Sequence, residues 1–303
     1  MPGSSPTRQA PTASADTSWY QLYILSYSAR IAGPTALVHE LAELRPRAPA
    51  WTTTLAPALS TTFDVQSDTP RPGWHTLWRN GTLHRVVKPP TVVLAALDTA
   101  INAAAVEALD TRYLLIHAGA VAFGARGLLL PAAAGSGKST LVAGLVAAGF
   151  QYLSDEVGVV DPETMQLLPF AKRLYIKAGG ARALAGIYPE LTTRVPRLRS
   201  AQETIWYLAP PSDAWPAGPV TFRYVVVPQY VAGARTELAP MPRTAALSHV
   251  VGQSYRLQAH GGTRMGHLIE AMRAADCYAL TIGSLRQAVD QLQHLVTRPS
   301  ATG

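Results

Sequence analysis

Between Trp19 and Val65 the stretch WYQLYILSY alternates apolar and polar positions, the period of a half-buried strand, and PTALVHELAEL repeats its apolar residues at helical spacing. LWRNGTLHRVV then sets Asn80-Gly81 between two alternating runs. Both positions of a tight hairpin turn need positive φ, which Asn and Gly tolerate, so a hairpin is predicted there. KPPT ends the strands, and TVVLAALDTAINAAAVEAL, residues 91 to 109, is predicted as a helix starting just after Pro89 and Pro90.

Beyond the helix, RYLLIHAGAVAFGARGLLLPA holds two apolar runs around a glycine-containing turn and reads as a second hairpin. KSTLVAGLVAAG follows as a helix closed by Gly149, and FQYLSDEVGVVDPETMQLLPF as strand, Asp161-Pro162 turn and strand. FRYVVVPQY is predicted as a buried strand, RTAALSHVVGQSY and GHLIEAMRAAD as helices, CYALTIG as a strand and SLRQAVDQLQHLV as a closing helix. No repeat or long linker interrupts residues 109 to 297. The expected organisation is a flexible tail over 1–18, a small N-terminal α+β unit over 19–108 and a larger α/β unit over 109–303.

Composition narrows the class. With 48% hydrophobic residues in a chain of 303, a sizeable core is expected. Cys277 is the single cysteine, which excludes an internal disulfide and a multi-cysteine zinc site; a buried, inert thiol is expected. The 91–109 helix carries Asp98, Asn102 and Glu107, costly in a bilayer, so it reads as a buried helix rather than a membrane span. MPGSSPTRQAPTASADTS lacks the apolar run of a signal peptide, and a cytoplasmic protein is expected.

The net charge of +7 is concentrated. Between Ala171 and Ser200, Lys172, Arg173, Lys177, Arg182, Arg194, Arg197 and Arg199 stand against Glu190 alone. Such a surface suits an acidic or phosphorylated partner, and a solvated basic loop accounts for it equally well. No helix-turn-helix, zinc-finger or aromatic-basic signature points to nucleic acid.

The chemistry enters with PAAAGSGKST, residues 131 to 140. From Ala132 to Ser139 it has the Walker A spacing G-x-x-x-x-G-K-[ST], with Ala132 at the first glycine position. A phosphate cradle needs successive backbone N–H groups, a helix N-terminus, a lysine for the β- and γ-phosphates and a hydroxyl for Mg2+. Ala134, Gly135, Ser136, Gly137, Lys138, Ser139 and Thr140 are the candidate nucleotide-binding residues. GLLL enters as a strand and STLVAGLVAAG leaves as a helix, the context that the motif requires. A nucleoside triphosphate with Mg2+ is the expected ligand.

Asp155 and Glu156 follow only sixteen residues after Ser139. In most P-loop ATPases and GTPases the metal-binding acid lies further along, so the spacing points to another nucleotide fold. One carboxylate can accept the proton of an attacking hydroxyl while the other helps hold Mg2+.

The stretch LLIHAGAVAFGARGLLLPAAAGSGKSTLVAGLVAAGFQYLSDEVGVV resembles the bacterial HPr kinase/phosphorylase family, which shares its nucleotide fold with phosphoenolpyruvate carboxykinase. The shared pattern is His117 on the strand before the loop, the loop from Gly135 to Ser139, and a strand ending in Asp155 and Glu156. RYVVVPQYVAGARTELAPMPRTAALSHVV and AADCYALTIGSLRQAVDQLQHLV are similar to a divergent branch of HPr-kinase-related proteins, some of which phosphorylate lasso-peptide precursors. The resemblance covers roughly residues 75 to 297 and is most specific from 117 to 156.

It implies a phosphoenolpyruvate carboxykinase-like P-loop fold with a mixed sheet, and an ATP- and Mg2+-dependent kinase. The phosphate acceptor it implies is a hydroxyl, most simply Ser, on a peptide or protein; a small-molecule kinase acting on an amino acid, sugar or nucleoside-like metabolite is the alternative. Carried over residue by residue, Lys138 and Ser139 hold phosphates and Mg2+, Asp155 is the base, Glu156 shares the metal, His117 lies beside the transferred phosphate and Arg173 stabilises its charge. The chain lacks a convincing copy of the HPr-binding and phosphorolysis signature near its C-terminal end, so the resemblance implies neither HPr as substrate nor the reverse reaction. Whether the chain forms a homo-oligomer, and whether it prefers ATP or GTP, is left open.

Overall fold

The computed structural model describes residues 16–45, 52, 59–200 and 203–298. The chain is a mixed α/β protein. Its first sheet is built from Thr17–Ile24 (β1) and Tyr27–Pro34 (β2), then, after the helix Thr35–Leu44 (α1), from Leu59–Ser67 (β3), His75–Arg79 (β4) and Thr82–Val87 (β5), in the order β1-β2-β3-β4-β5. All pairs are antiparallel except β2 with β3. Thr17 and Ser18, expected in the tail, open β1; residues 1–15 lie outside the described residues. The alternating stretch expected as one strand is two, because the chain turns at Leu25, which takes a φ of 52°. The Asn80-Gly81 hairpin is found as expected, with φ of 50° and 77°.

Helix α2 (Val93–Leu109) leads to the second, eight-stranded sheet. Leu114–Phe123 (β6) and Arg126–Pro131 (β7) form the expected hairpin, and α3 (Lys138–Ala147) follows the glycine loop. The single strand expected around YLSDEVGVV is broken into Gln151–Ser154 (β8) and Val157–Asp161 (β9), both paired antiparallel with β6, and Asp155-Glu156 fall in the break. After β10 (Gln166–Leu168), the basic segment, weighed as a solvated loop, instead folds into β11 (Leu174–Lys177), α4 (Ala178–Leu184), α5 (Glu190–Thr193) and β12 (Arg197–Leu198). With β13 (Thr204–Leu208) its strands make a small sheet in the order β11-β13-β12. The chain then returns to the large sheet through β14 (Val220–Tyr230), β15 (Glu237–Pro240), α6 (Arg243–Gln253), α7 (Gly261–Arg273), β16 (Asp276–Ile282) and α8 (Leu285–Thr297).

In the large sheet β14 lies parallel to both β7 and β16, while β6 and its other neighbours are antiparallel, and β10 also reaches the start of β14. Strand alternation divides the residues between two faces. Leu128 and Leu130 of β7, with Tyr224 and Val226 of β14, pack under α3 and α8; Leu129 and Val225 pack under α6 and α7. Helix α8 serves its face because Ala288, Val289, Leu292, Leu295 and Val296 recur at helical spacing. A third core joins the first sheet to the second: Leu97, Ile101 and Ala105 of α2 share it with Leu22, Ile31 and Phe63 on one side and with Val157 and Val159 of β9 on the other. Cys277 is free and buried, its thiol pushed up by that burial. No helix among the described residues is long and apolar enough to cross a membrane.

Candidate functional site

β7 delivers the glycine loop to the N-terminus of α3. Gly135 and Gly137 take φ of 86° and 89°, the left-handed region in which a side chain is strained, and Gly137 is the N-cap residue. The turn leaves the first N–H groups of α3 without helical partners, and the helix dipole adds partial positive charge there. Ala133, Ala134 and Gly135 are exposed, and the Ser136 hydroxyl is buried without a hydrogen-bond partner.

Lys138 turns back under the loop. Its buried Nζ donates to the carbonyl oxygens of Ala132 at 2.6 Å and Ala133 at 3.4 Å, and lies 3.1 Å from His117 Nε2. Burial pushes the ammonium down to about 8, against the opposing pull of Asp155 and Glu156. His117 is also held below its ordinary value, by burial and then by the Lys138 charge, so the imidazole is neutral at pH 7. Its Nε2 therefore accepts from Lys138, leaving the Nδ1 proton to be donated to Tyr255 Oη at 3.3 Å. Tyr255 is placed by its own N–H, which donates to Leu115 O on β6 at 2.8 Å.

The acidic pair splits into two environments. Asp155 is 2% exposed and both of its oxygens are engaged: Oδ1 accepts from Lys172 Nζ at 2.7 Å and Tyr152 Oη at 3.3 Å, and Oδ2 accepts from the Tyr175 N–H at 3.2 Å. Glu156 keeps 29% of its side chain exposed, and its Oε2 accepts no hydrogen bond although Lys172 Nζ is 3.3 Å away. Burial alone would push the Lys172 ammonium down, but the charges of Asp155 and Glu156 prevail and hold it above its ordinary value.

Arg173 does not join this group. Its guanidinium donates to the carbonyl oxygen of Glu43 in α1, and burial, with the nearby Arg194 charge, lowers its pKa. The cation beside the acids is its neighbour Lys172, which also lies 3.6 Å from the centre of the Tyr175 ring. From there a polar chain runs into α2 and to the residue that follows α1: Asn102 Nδ2 donates to Tyr175 Oη at 3.3 Å, and Arg45 donates to Asn102 Oδ1 at 3.0 Å while pairing with Asp98. Of the rest of the basic segment, Lys177 and Arg199 share Glu203, and Arg197 pairs with Glu40.

Of the residues expected at the site, the structure brings together the loop, Lys138, His117, Asp155 and Glu156, and sends Arg173 elsewhere. Lys172 and Tyr255 were not singled out in the sequence. Lys172 is one of two adjacent cations just ahead of β11, and Tyr255 lies 138 residues from His117. Among the described residues, no three His, Cys, Asp and Glu side chains gather as a metal centre. The half-buried Ser139 hydroxyl at the loop is an oxygen donor that fits Mg2+, which takes one or two protein oxygens and completes its shell with phosphate and water. No family model matches the chain, and no curated protein matches it.

Proposed function

We propose that the protein is an ATP-dependent phosphotransferase, of the HPr-kinase-related type and fold, that moves the γ-phosphate to a hydroxyl, most simply Ser, of a peptide or protein acceptor. The observation that carries this reading is Lys138: a buried ammonium held by loop carbonyls and a neutral histidine, beside an acidic pair, under a left-handed glycine turn. Loop N–H groups cradle the triphosphate, and Lys138 exchanges a carbonyl contact for phosphate oxygens. Ser139 would hold Mg2+ together with the triphosphate, and the ion would neutralise phosphate charge. His117, tied to Tyr255, keeps the lysine aimed.

In transfer the acceptor oxygen bonds to the γ-phosphorus, the bond to the β–γ bridging oxygen breaks, ADP leaves and the hydroxyl proton must be taken up. Asp155, with both oxygens already accepting hydrogen bonds, is poorly placed to take it. Glu156 keeps 29% of its side chain exposed, and its Oε2, buried and 3.3 Å from Lys172 Nζ, accepts no hydrogen bond. The proton therefore goes to Glu156, and Asp155 acts as a fixed counter-charge of Lys172, a departure from the roles that the resemblance implies.

Labelled ATP, purified protein and candidate peptide acceptors test this. Lys138→Ala is expected to abolish transfer, and full activity in that variant would remove the nucleotide reading. Glu156→Gln is expected to lower turnover by roughly 10²- to 10⁴-fold with ATP binding retained, the usual range for a general base. If Glu156→Gln instead loses Mg2+-dependent ATP binding while Asp155→Asn loses turnover alone, the two roles revert.

A further inference from the structure

The ladder between β7 and β14 runs as far as Leu129 and Val225 and stops there, so the two strands part just before β7 delivers the glycine loop. β14 continues beside β16 to Tyr230, which comes against the loop: a Cβ on Gly137 would lie 3.6 Å from that of Tyr230. Tyr230 is 57% exposed and the adjacent Val231 39%.

This exposed apolar pair stands on a well-bonded frame. The Val231 N–H donates to Ile282 O at 3.0 Å and the Ala234 N–H to Val231 O at 3.2 Å. Thr236 Oγ1 accepts from the N–H groups of Gly283 and Ser284 at 3.1 and 2.8 Å, and Gln291 Nε2 donates to Thr236 O at 3.1 Å. The Ala234 carbonyl comes so close to residue 283 that a Cβ there would stand 1.7 Å from its oxygen, so only glycine permits the contact. The segment holds its shape while presenting an aromatic ring to solvent beside the cradle.

His117, Asp155 and Glu156 lie on the β6 side of the loop: His117 is on β6, and Asp155 and Glu156 fall between the two strands that pair with β6. A triphosphate whose outer phosphate meets Lys138 and His117 therefore extends its nucleoside away from β6, toward the fork between β7 and β14, the region outside the carboxyl ends of parallel strands where ligands of open α/β sheets sit. A nucleobase reaching that fork meets Tyr230 and Val231.

We propose that Tyr230 is the stacking platform of the nucleobase, with Val231 at its edge. This rests on the nucleotide reading of the loop. Base–aromatic stacking uses the ring face and needs no hydroxyl.

Titration calorimetry on the full chain with Mg2+, using ATP and inorganic tripolyphosphate against wild type, Tyr230→Ala and Tyr230→Phe, tests it. Tyr230→Ala should weaken ATP by about 5- to 100-fold and leave tripolyphosphate within about twofold, while Tyr230→Phe keeps ATP affinity. Unchanged ATP affinity in Tyr230→Ala overturns the stacking and leaves the cradle standing. Equal weakening of both ligands also overturns it, because Tyr230 would then support the loop rather than the base. Wild type that binds neither ligand removes the nucleotide reading beneath the proposal.

Discussion

Burial pushes the Lys138 ammonium down to about 8. Below pH 8 both the folded and the unfolded chain hold its proton, and folding bears the cost of burying the charge, ~3 kcal/mol for a fall from 10.5 to about 8. Between pH 8 and 10.5 the unfolded chain binds the extra proton, so this group makes stability rise with pH. Urea midpoints measured from pH 7 to pH 10 should show that rise in wild type and a flatter profile in Lys138→Met. Lys138 was legible in the sequence because the loop motif fixes its place relative to Gly135 and Gly137. Lys172 was not: in the pair Lys172-Arg173 nothing in the local pattern says which cation turns inward, and the partners that do, Asp155 for Lys172 and Glu43 for Arg173, are distant in the chain.

At the scale of elements, the break between β8 and β9 lets both acids reach one cation, Lys172. A continuous strand would send Asp155 and Glu156 to opposite faces; in the break both turn toward Lys172, Asp155 wholly buried and Glu156 with part of its side chain exposed. The break was hidden in the sequence because QYLS and VGVVD are both almost wholly buried, so the run reads as one strand. Helices and hairpins with a strong period or an Asn-Gly turn were legible for the opposite reason, since each carries its own local signal. Removing one partner of a buried ion pair leaves the other charge stranded, a cost of about 3 to 5 kcal/mol. Lys172→Met alone should therefore lower stability by that order, and Asp155→Asn combined with Lys172→Met should recover more than half of it, because Asn can still accept from the Tyr175 N–H. Chemical denaturation of the two single variants and the double variant measures the coupling; strictly additive losses would mean that the pair does not act as a unit.

At the scale of the whole molecule, the first sheet and the large sheet share a core through α2, a union that composition and periodicity could not display because its members, from Leu22 to Phe170, are far apart in the chain. A chain of residues 109–303 alone would expose Leu115, Val157, Val159, Leu168 and Phe170, so it is expected to aggregate or bind a hydrophobic dye where the full chain stays dispersed; a soluble, cooperatively melting fragment would show that the large sheet closes its core without α2. The site inherits this union, since Lys172, Tyr175, Asn102, Arg45 and Asp98 run from the acids into α2 and to the residue that follows α1. The parting of β7 from β14 has a kinetic consequence. A molecule entering at that fork breaks no ladder hydrogen bond on its way in, so its arrival is timed by diffusion and by attraction to the positive end of α3 rather than by any opening of the sheet.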